Sequence, residues 1–225
     1  GVTVLDKYFG FLKIQDENSV IESLIEHTRI DEEEVHLLVT MVDELCHNNI
    51  EGVTDNFKKI TKISEDSRRL FENTAGQIIN AGFDHQKQYD LLRLFQRIEG
   101  ISGYINTTAN RIIILTRVGG RLPKELHNDV KILIQKLDTI HLEFMKALTE
   151  YTANRSNVIR VISRIEEMEK DIDIVRSTCL EQLYLLANDD QLKLGTFKAI
   201  ENIVEHIEST SDVICEAAMS LEWLL

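Results

Sequence analysis

Toward the end of the chain, carboxylates recur at one-turn spacing. Glu201, Glu205, Glu208 and Asp212 stand four, three and four residues apart, which on a helix stacks all four on one face over three turns. Glu166, Glu169 and Asp173, spaced three and four, repeat the pattern. Each series flanks an apolar one, Ile200, Ile203, Ile207 and Ile214 in the first case and Ile165, Met168 and Ile172 in the second, so both acidic stripes border a core seam. A short turn around Asn188 to Asp190 makes the two stretches antiparallel neighbours. Counting equal distances from that turn sets Asp173 opposite Glu205, Glu169 opposite Glu208 and Glu166 opposite Asp212. Facing like charges cost free energy unless something compensates. Carboxylates without cysteine form a hard oxygen donor set suited to Mg²⁺, Mn²⁺, Ca²⁺ or iron, and bridging carboxylates can hold more than one ion. His206, beside the stripe, is a candidate borderline ligand. Two other readings compete: a solvated face relieved by Lys170, Arg176 and Lys198, and a docking face for a basic partner.

The elements that must position these groups are long amphipathic helices, because apolar residues recur every three and four positions nearly throughout and strict alternation is never sustained. Breaks at Asn48, Asn49 and Gly52, at Asn80 and Gly82, at Gly119 and Gly120 followed by Pro123, at Thr152 to Asn157 and at Asn188 to Asp190 predict six helices, about 18–48, 54–80, 85–118, 123–150, 157–187 and 191–223. A short amphipathic piece, Val4 to Leu12, precedes them; its Val4, Leu5, Phe9, Phe11 and Leu12 suit a lid over the bundle or an interaction patch. The chain repeats across its central break. Ile60, Ile63, Ser67, Leu70, Thr74 and Ile78 superpose on Ile165, Met168, Ile172, Val175, Cys179 and Leu183, and Ile98, Glu99, Ile101, Ile105, Asn110 and Ile112 on Ile200, Glu201, Ile203, Ile207, Asp212 and Ile214. The expected architecture is all-α: an N-terminal segment 1–17, a first three-helix repeat 18–120 and a second 121–225.

Composition closes several function classes. Among 225 residues there are one proline and ten glycines, too few turn formers for an all-β fold. Lys+Arg of 25 against Asp+Glu of 38 leaves a net charge of −13, which repels nucleic acid and anionic lipid. No apolar run reaches the roughly 20 residues of a spanning helix and no apolar leader is visible, so a cytoplasmic protein is expected. Cys46, Cys179 and Cys215 are odd in number and far apart, as befits reduced core thiols.

The paired acids and the two-repeat organisation resemble the PhoU-like superfamily, in particular its branch of phosphate-transport regulators and accessory proteins of inorganic-phosphate permeases. The resemblance runs from about Phe9 to Leu225 and rests on an acid, three spacers and an acid in Glu169 and Asp173, Glu201 and Glu205, and Glu208 and Asp212. It implies two tandem three-helix bundles and a multinuclear metal site, with Glu166, Glu169, Asp173, Glu201, Glu205, Glu208 and Asp212 as ligands and divalent or ferric ions (Fe, Mn, Mg, Ni or Zn) as cofactors. It also implies a non-catalytic role in phosphate uptake or signalling through a transporter or its signalling protein, peripheral at the membrane through that transporter, with a homodimer left open. The first repeat departs from the pattern: Ser64 and Arg68, Glu99 and Gly103, and Asn106 and Asn110 stand at the matching positions, so metal is expected only in the second.

An enzyme reading starts from Glu33 with His36 and Glu44 with His47, the Glu-x-x-His spacing of carboxylate-bridged di-iron bundles. The two pairs lie roughly 16 Å apart along one helix and cannot share a site. Asp138 and His141 offer a partner from the fourth helix, but no pattern fixes their level, and a surface role is expected for all of them, as for His27, His85, His127 and His206. A scaffold without metal is the third reading. No Gly-rich phosphate loop, nucleophile elbow or zinc-protease motif is present, and Gly119-Gly120-Arg121 is explained by a helix end followed by a helix start.

Overall fold

The computed structural model describes residues 16–225, which form six long helices: α1 (Glu17–Cys46), α2 (Ile50–Asn80), α3 (His85–Arg117), α4 (Lys124–Ala153), α5 (Val158–Asn188) and α6 (Leu194–Glu222), with a 3₁₀ turn, Arg155–Asn157, leading into α5. The Val4 to Leu12 piece lies outside the described residues. Asp16, Asn49 and Asp84 accept the backbone N–H groups of Ser19, Gly52 and Lys87 at 2.7, 3.2 and 2.8 Å, satisfying donors that a helix start leaves free. Gly52 therefore lies inside the first turn of α2 rather than in the break, and Pro123 is the N-cap of α4 rather than its first helical residue.

Four helices end on a residue with left-handed backbone: Asn48 (φ 53°), Gly82 (φ 77°), Gly119 (φ 73°) and Asp190 (φ 56°). After α3 the Gly119 N–H reaches Thr116 O at 3.1 Å and the Gly120 N–H reaches Leu115 O at 2.9 Å, the paired closure of a Schellman end. Gly119→Ala is expected to cost about 1 kcal/mol, because a Cβ is disfavoured at positive φ, and thermal melting should record a Tm about 2–4 °C lower for a chain of this size.

Within each half, successive helices pack on one another: α1 on α2 and α3, and α4 on α5 and α6. The halves join through α1 against α4 and α3 against α6. Both junctions are antiparallel: Glu17 meets Arg155 at 3.8 Å and Asp43 meets Lys131 at 3.6 Å along one, while Arg97 pairs with Glu216 and Thr108 with Thr210 along the other. The burial pattern carries the repeat as well. Val20, Leu24, Thr28, Leu38, Met41, Val42 and Leu45 of α1 are buried in the same order as Leu126, Val130, Ile134, Phe144, Ala147, Leu148 and Tyr151 of α4. By that alignment Glu32 corresponds to Asp138, and these two face each other across the first junction. Thr108 and Thr210, equivalent in the α3 and α6 alignment, touch at 3.2 Å across the second. Equivalent residues meet only at an axis of local two-fold symmetry, so one such axis relates the two three-helix units and crosses both junctions. α2 and α5 then lie outside a central layer of α1, α3, α4 and α6.

Candidate metal centre

α5 and α6 form the hairpin that the turn demanded, and their buried edges, Ile165, Ile172, Cys179 and Leu183 against Ile200, Ile203, Ile207 and Ile214, hold the flanking acids at the seam. Of the seven expected ligands the fold brings three together: Glu169, Glu208 and Asp212 each offer a carboxylate oxygen, and these oxygens lie within 4.8 Å of one another. Glu208 is buried, and Glu169 and Asp212 are half-buried. Burial, reinforced by Asp212, pushes Glu169 up to about 7. Asp212 is pushed up to about 6, by burial first and with Glu208 and Asp173 adding to it against a lowering hydrogen bond from Glu169. Glu169 and Asp212 hold their protons above the ordinary carboxylate range, and a hard cation in the seam would favour their ionised forms.

The remaining four are placed otherwise. Arg176 occupies the next level toward the turn, its guanidinium 2.6 Å from Asp173 Oδ1 and 3.2 Å from Glu205 Oε2, so a cation facing those acids is already built into the chain. Glu201 accepts from Lys198 Nζ and from the Tyr184 hydroxyl, both at 2.9 Å. Glu166 is exposed and does not join Asp212, which turns to Glu169 and Glu208 instead. His206 also stays out: its Nδ1 lies 2.8 Å from the Asn202 carbonyl one turn back. In the first unit the corresponding face is a cleft of about 530 Å³ lined by Ser64, Arg68, Glu99, Gly103 and Asn106 among others. Asn106 donates to the Ser64 hydroxyl at 2.8 Å there.

Two histidines, His27 and His141, correct the surface expectation, while His36, His47 and His85 are exposed as expected. His27 is fully buried, stacks on Phe71 at a centroid distance of 4.2 Å and meets Thr74 Oγ1 at 2.7 Å; burial lowers it to about 4. His141 is also fully buried, with its Nδ1 2.5 Å from Glu32 Oε2. The Glu-x-x-His pairs do not assemble. Glu33 is exposed, Glu44 accepts from Asn49, and His47 binds the Asp43 carbonyl. The carboxylate that reaches His36 is Glu32, one turn back on α1, with Asp138 of α4 beside it.

Sequence reading also missed three acids inside the bundle. Asp31 and Glu34 are buried together with Glu32 on α1, where α4 carries Leu137 and Ile140 at the first two equivalent positions. The hydroxyl of Ser102 donates to Asp31, and neither oxygen of Glu34 has a hydrogen-bond partner. A signal existed: Asp31, Glu34 and Val35 fall on the three-four stripe that contains Leu24, Thr28 and Leu38, so acids occupied core positions. Cys179 and Cys215 are the core thiols expected, whereas Cys46 is half-buried. All three are free, and burial pushes Cys179 and Cys215 up to about 12 and about 11, which keeps them protonated and unreactive.

Six long helices, with α1–α3 packed on one another and α4–α6 likewise, define an all-α class of fold. Two solved structures from Shewanella oneidensis MR-1 share it: one described as a PhoU-like phosphate regulatory protein, with TM-score 0.77, and one described as a PhoU-like protein, with TM-score 0.79. Each is 18% identical to this chain, and each match covers 90% of this chain and 97% of the other. The chain has the PhoU-like fold. No family model matches the sequence, and no curated protein matches it either. Among the described residues, no helix is long and apolar enough to cross a membrane.

Proposed function

We propose that this chain is a non-catalytic regulator or accessory protein of inorganic phosphate transport or signalling, which acts by binding a transporter or its signalling partner and carries a carboxylate metal site in its second unit. The observation that carries the reading is the convergence of Glu169, Glu208 and Asp212 on a fold shared with a protein described as a phosphate regulator. The donor set fits a hard cation: three carboxylates, no thiolate, and one member buried against the core. Bound there, an ion would neutralise the seam and stiffen the α5–α6 hairpin, making any surface built on that hairpin depend on occupancy. Nothing in the seam pairs a nucleophile with a base, which favours a binding role over catalysis.

Elemental analysis of the purified protein, beside the double variant Glu169→Gln and Glu208→Gln, tests the metal. The native chain should carry at least one ion that the variant lacks; equal content in both removes the site. Uptake of radiolabelled phosphate by cells lacking the chain tests the role. Restoring the native protein should alter uptake and restoring the variant should not, whereas uptake indifferent to the chain refutes the regulator reading.

A further inference from the structure

The junction of α1 and α4 holds a second constellation, unrelated to the acidic hairpin. His36 Nε2 lies 2.9 Å from Glu32 Oε1 and 3.5 Å from Asp138 Oδ1, and the three atoms lie within 4.8 Å of one another. Glu32 is only 8% exposed. Its Oε1 and the Oδ1 of Asp138 are both buried and neither makes a hydrogen bond of acceptable geometry. A buried carboxylate oxygen facing a second one, with one imidazole nitrogen beside them, is costly to leave without a proton or a cation between the two. The other Glu32 oxygen is held from behind by the fully buried His141, at 2.5 Å, so the carboxylate cannot turn away. That contact is the supporting hydrogen bond that carboxylate ligands of metals require.

We propose that Glu32, His36 and Asp138 bind one divalent transition-metal ion at the junction of the two three-helix units, with His141 as the positioning residue behind Glu32. The spacing fits. Ligand atoms about 2.1 Å from a common ion and at tetrahedral or octahedral angles stand roughly 2.9–3.4 Å apart, close to the two separations observed. One imidazole nitrogen with two carboxylates suits Mn²⁺, Fe²⁺, Co²⁺, Ni²⁺ or Zn²⁺ better than the oxygen-seeking Ca²⁺ and Mg²⁺. His36 is largely exposed, with 64% of its side chain accessible, which gives an ion a route in and leaves room for water ligands. Because Glu32 and Asp138 are equivalent residues of the two units, the ion would sit at the local two-fold and cross-link one unit to the other.

Titration of the metal-free protein with Co²⁺, followed by paramagnetic proton NMR, tests this. Coordination through His36 Nε2 should produce one strongly shifted, solvent-exchangeable imidazole N–H resonance. It should vanish in His36→Ala, which alters only an exposed side chain, and in Asp138→Asn, with at least a tenfold loss of Co²⁺ affinity in each. The resonance should persist in the Glu169→Gln and Glu208→Gln double variant, since an all-carboxylate seam contributes no imidazole signal. Absence of the resonance in the native protein overturns the proposal. So does its survival in Asp138→Asn, which would leave His36 binding cobalt without α4, or its loss in the hairpin variant.

Discussion

Glu34→Leu makes the metal-free protein more stable by about 3 kcal/mol at pH 7 and removes much of its sensitivity to alkaline pH. Glu34 is fully buried on α1 with both carboxyl oxygens unpartnered. Burial, with Asp31 and Glu33 adding to it, raises its pKa from the ordinary 4.5 to about 9. The sign follows from proton linkage. Below pH 4.5 the carboxyl is neutral in both states and carries no ionisation penalty. Above it the unfolded chain ionises while the folded chain keeps its proton, so stability falls with rising pH by roughly 1.4 kcal/mol per unit until the folded group titrates near 9. Over the interval from 4.5 to 7 this comes to about 3 kcal/mol, and leucine, similar in bulk and apolar like Ile140 at the equivalent place in α4, escapes it. Denaturant unfolding in chelator at pH 5, 7 and 8.5 measures the difference. The gap between variant and native protein should widen at each step. A gap that is constant or reversed would mean that Glu34 finds a partner in solution.

Helix number and order were legible because the segments are long and their ends are marked by residues with a backbone reason to be there: Asn48, Gly82, Gly119 and Asp190 each take the left-handed turn that a stopping helix needs. The 106-residue offset between the halves shows in burial, since α1 and α4 bury matching positions. The seam was half legible. Helical spacing placed Glu169, Glu208 and Asp212 on facing edges, but counting from the turn assumes that paired residues stay level. The levels of Asp173 with Glu205 and of Glu169 with Glu208 hold, but Glu166 is exposed and Asp212 meets Glu169 instead. Arg176 was visible as a relief of charge, yet only the fold shows that its guanidinium bonds Asp173 and Glu205. The α1–α4 junction was illegible, because nothing in one helix states its level against a helix from the other repeat. The periodicity did contain the warning, in Asp31 and Glu34 at core positions.

Adding a divalent metal to the chelated protein should raise its stability by about 4 kcal/mol when the free ion is about a thousandfold above the Kd of the hairpin site, since an ion that binds only the folded state stabilises it by mass action. For a chain of this size that corresponds to a Tm increase of about 8–16 °C. The increase must depend on pH in a particular direction. Glu169, pushed up to about 7, and Asp212, pushed up to about 6, have to release protons before they can ligate. Apparent affinity should therefore weaken about tenfold per unit as pH falls through 7 and 6, more steeply below 6 where both carboxyls are protonated. Without metal the trend reverses: carboxyls with raised pKa values favour the folded state at low pH, and that advantage falls as pH rises above about 4 and is gone once the folded groups titrate near 6 and 7. Melting curves with and without metal should thus diverge between pH 6 and 8, and Glu169→Gln with Glu208→Gln should remove the share of that divergence contributed by the hairpin. Curves that stay parallel across that range would show that Glu169 and Asp212 give up no protons to an ion, and the seam would then be only a charged edge of the bundle.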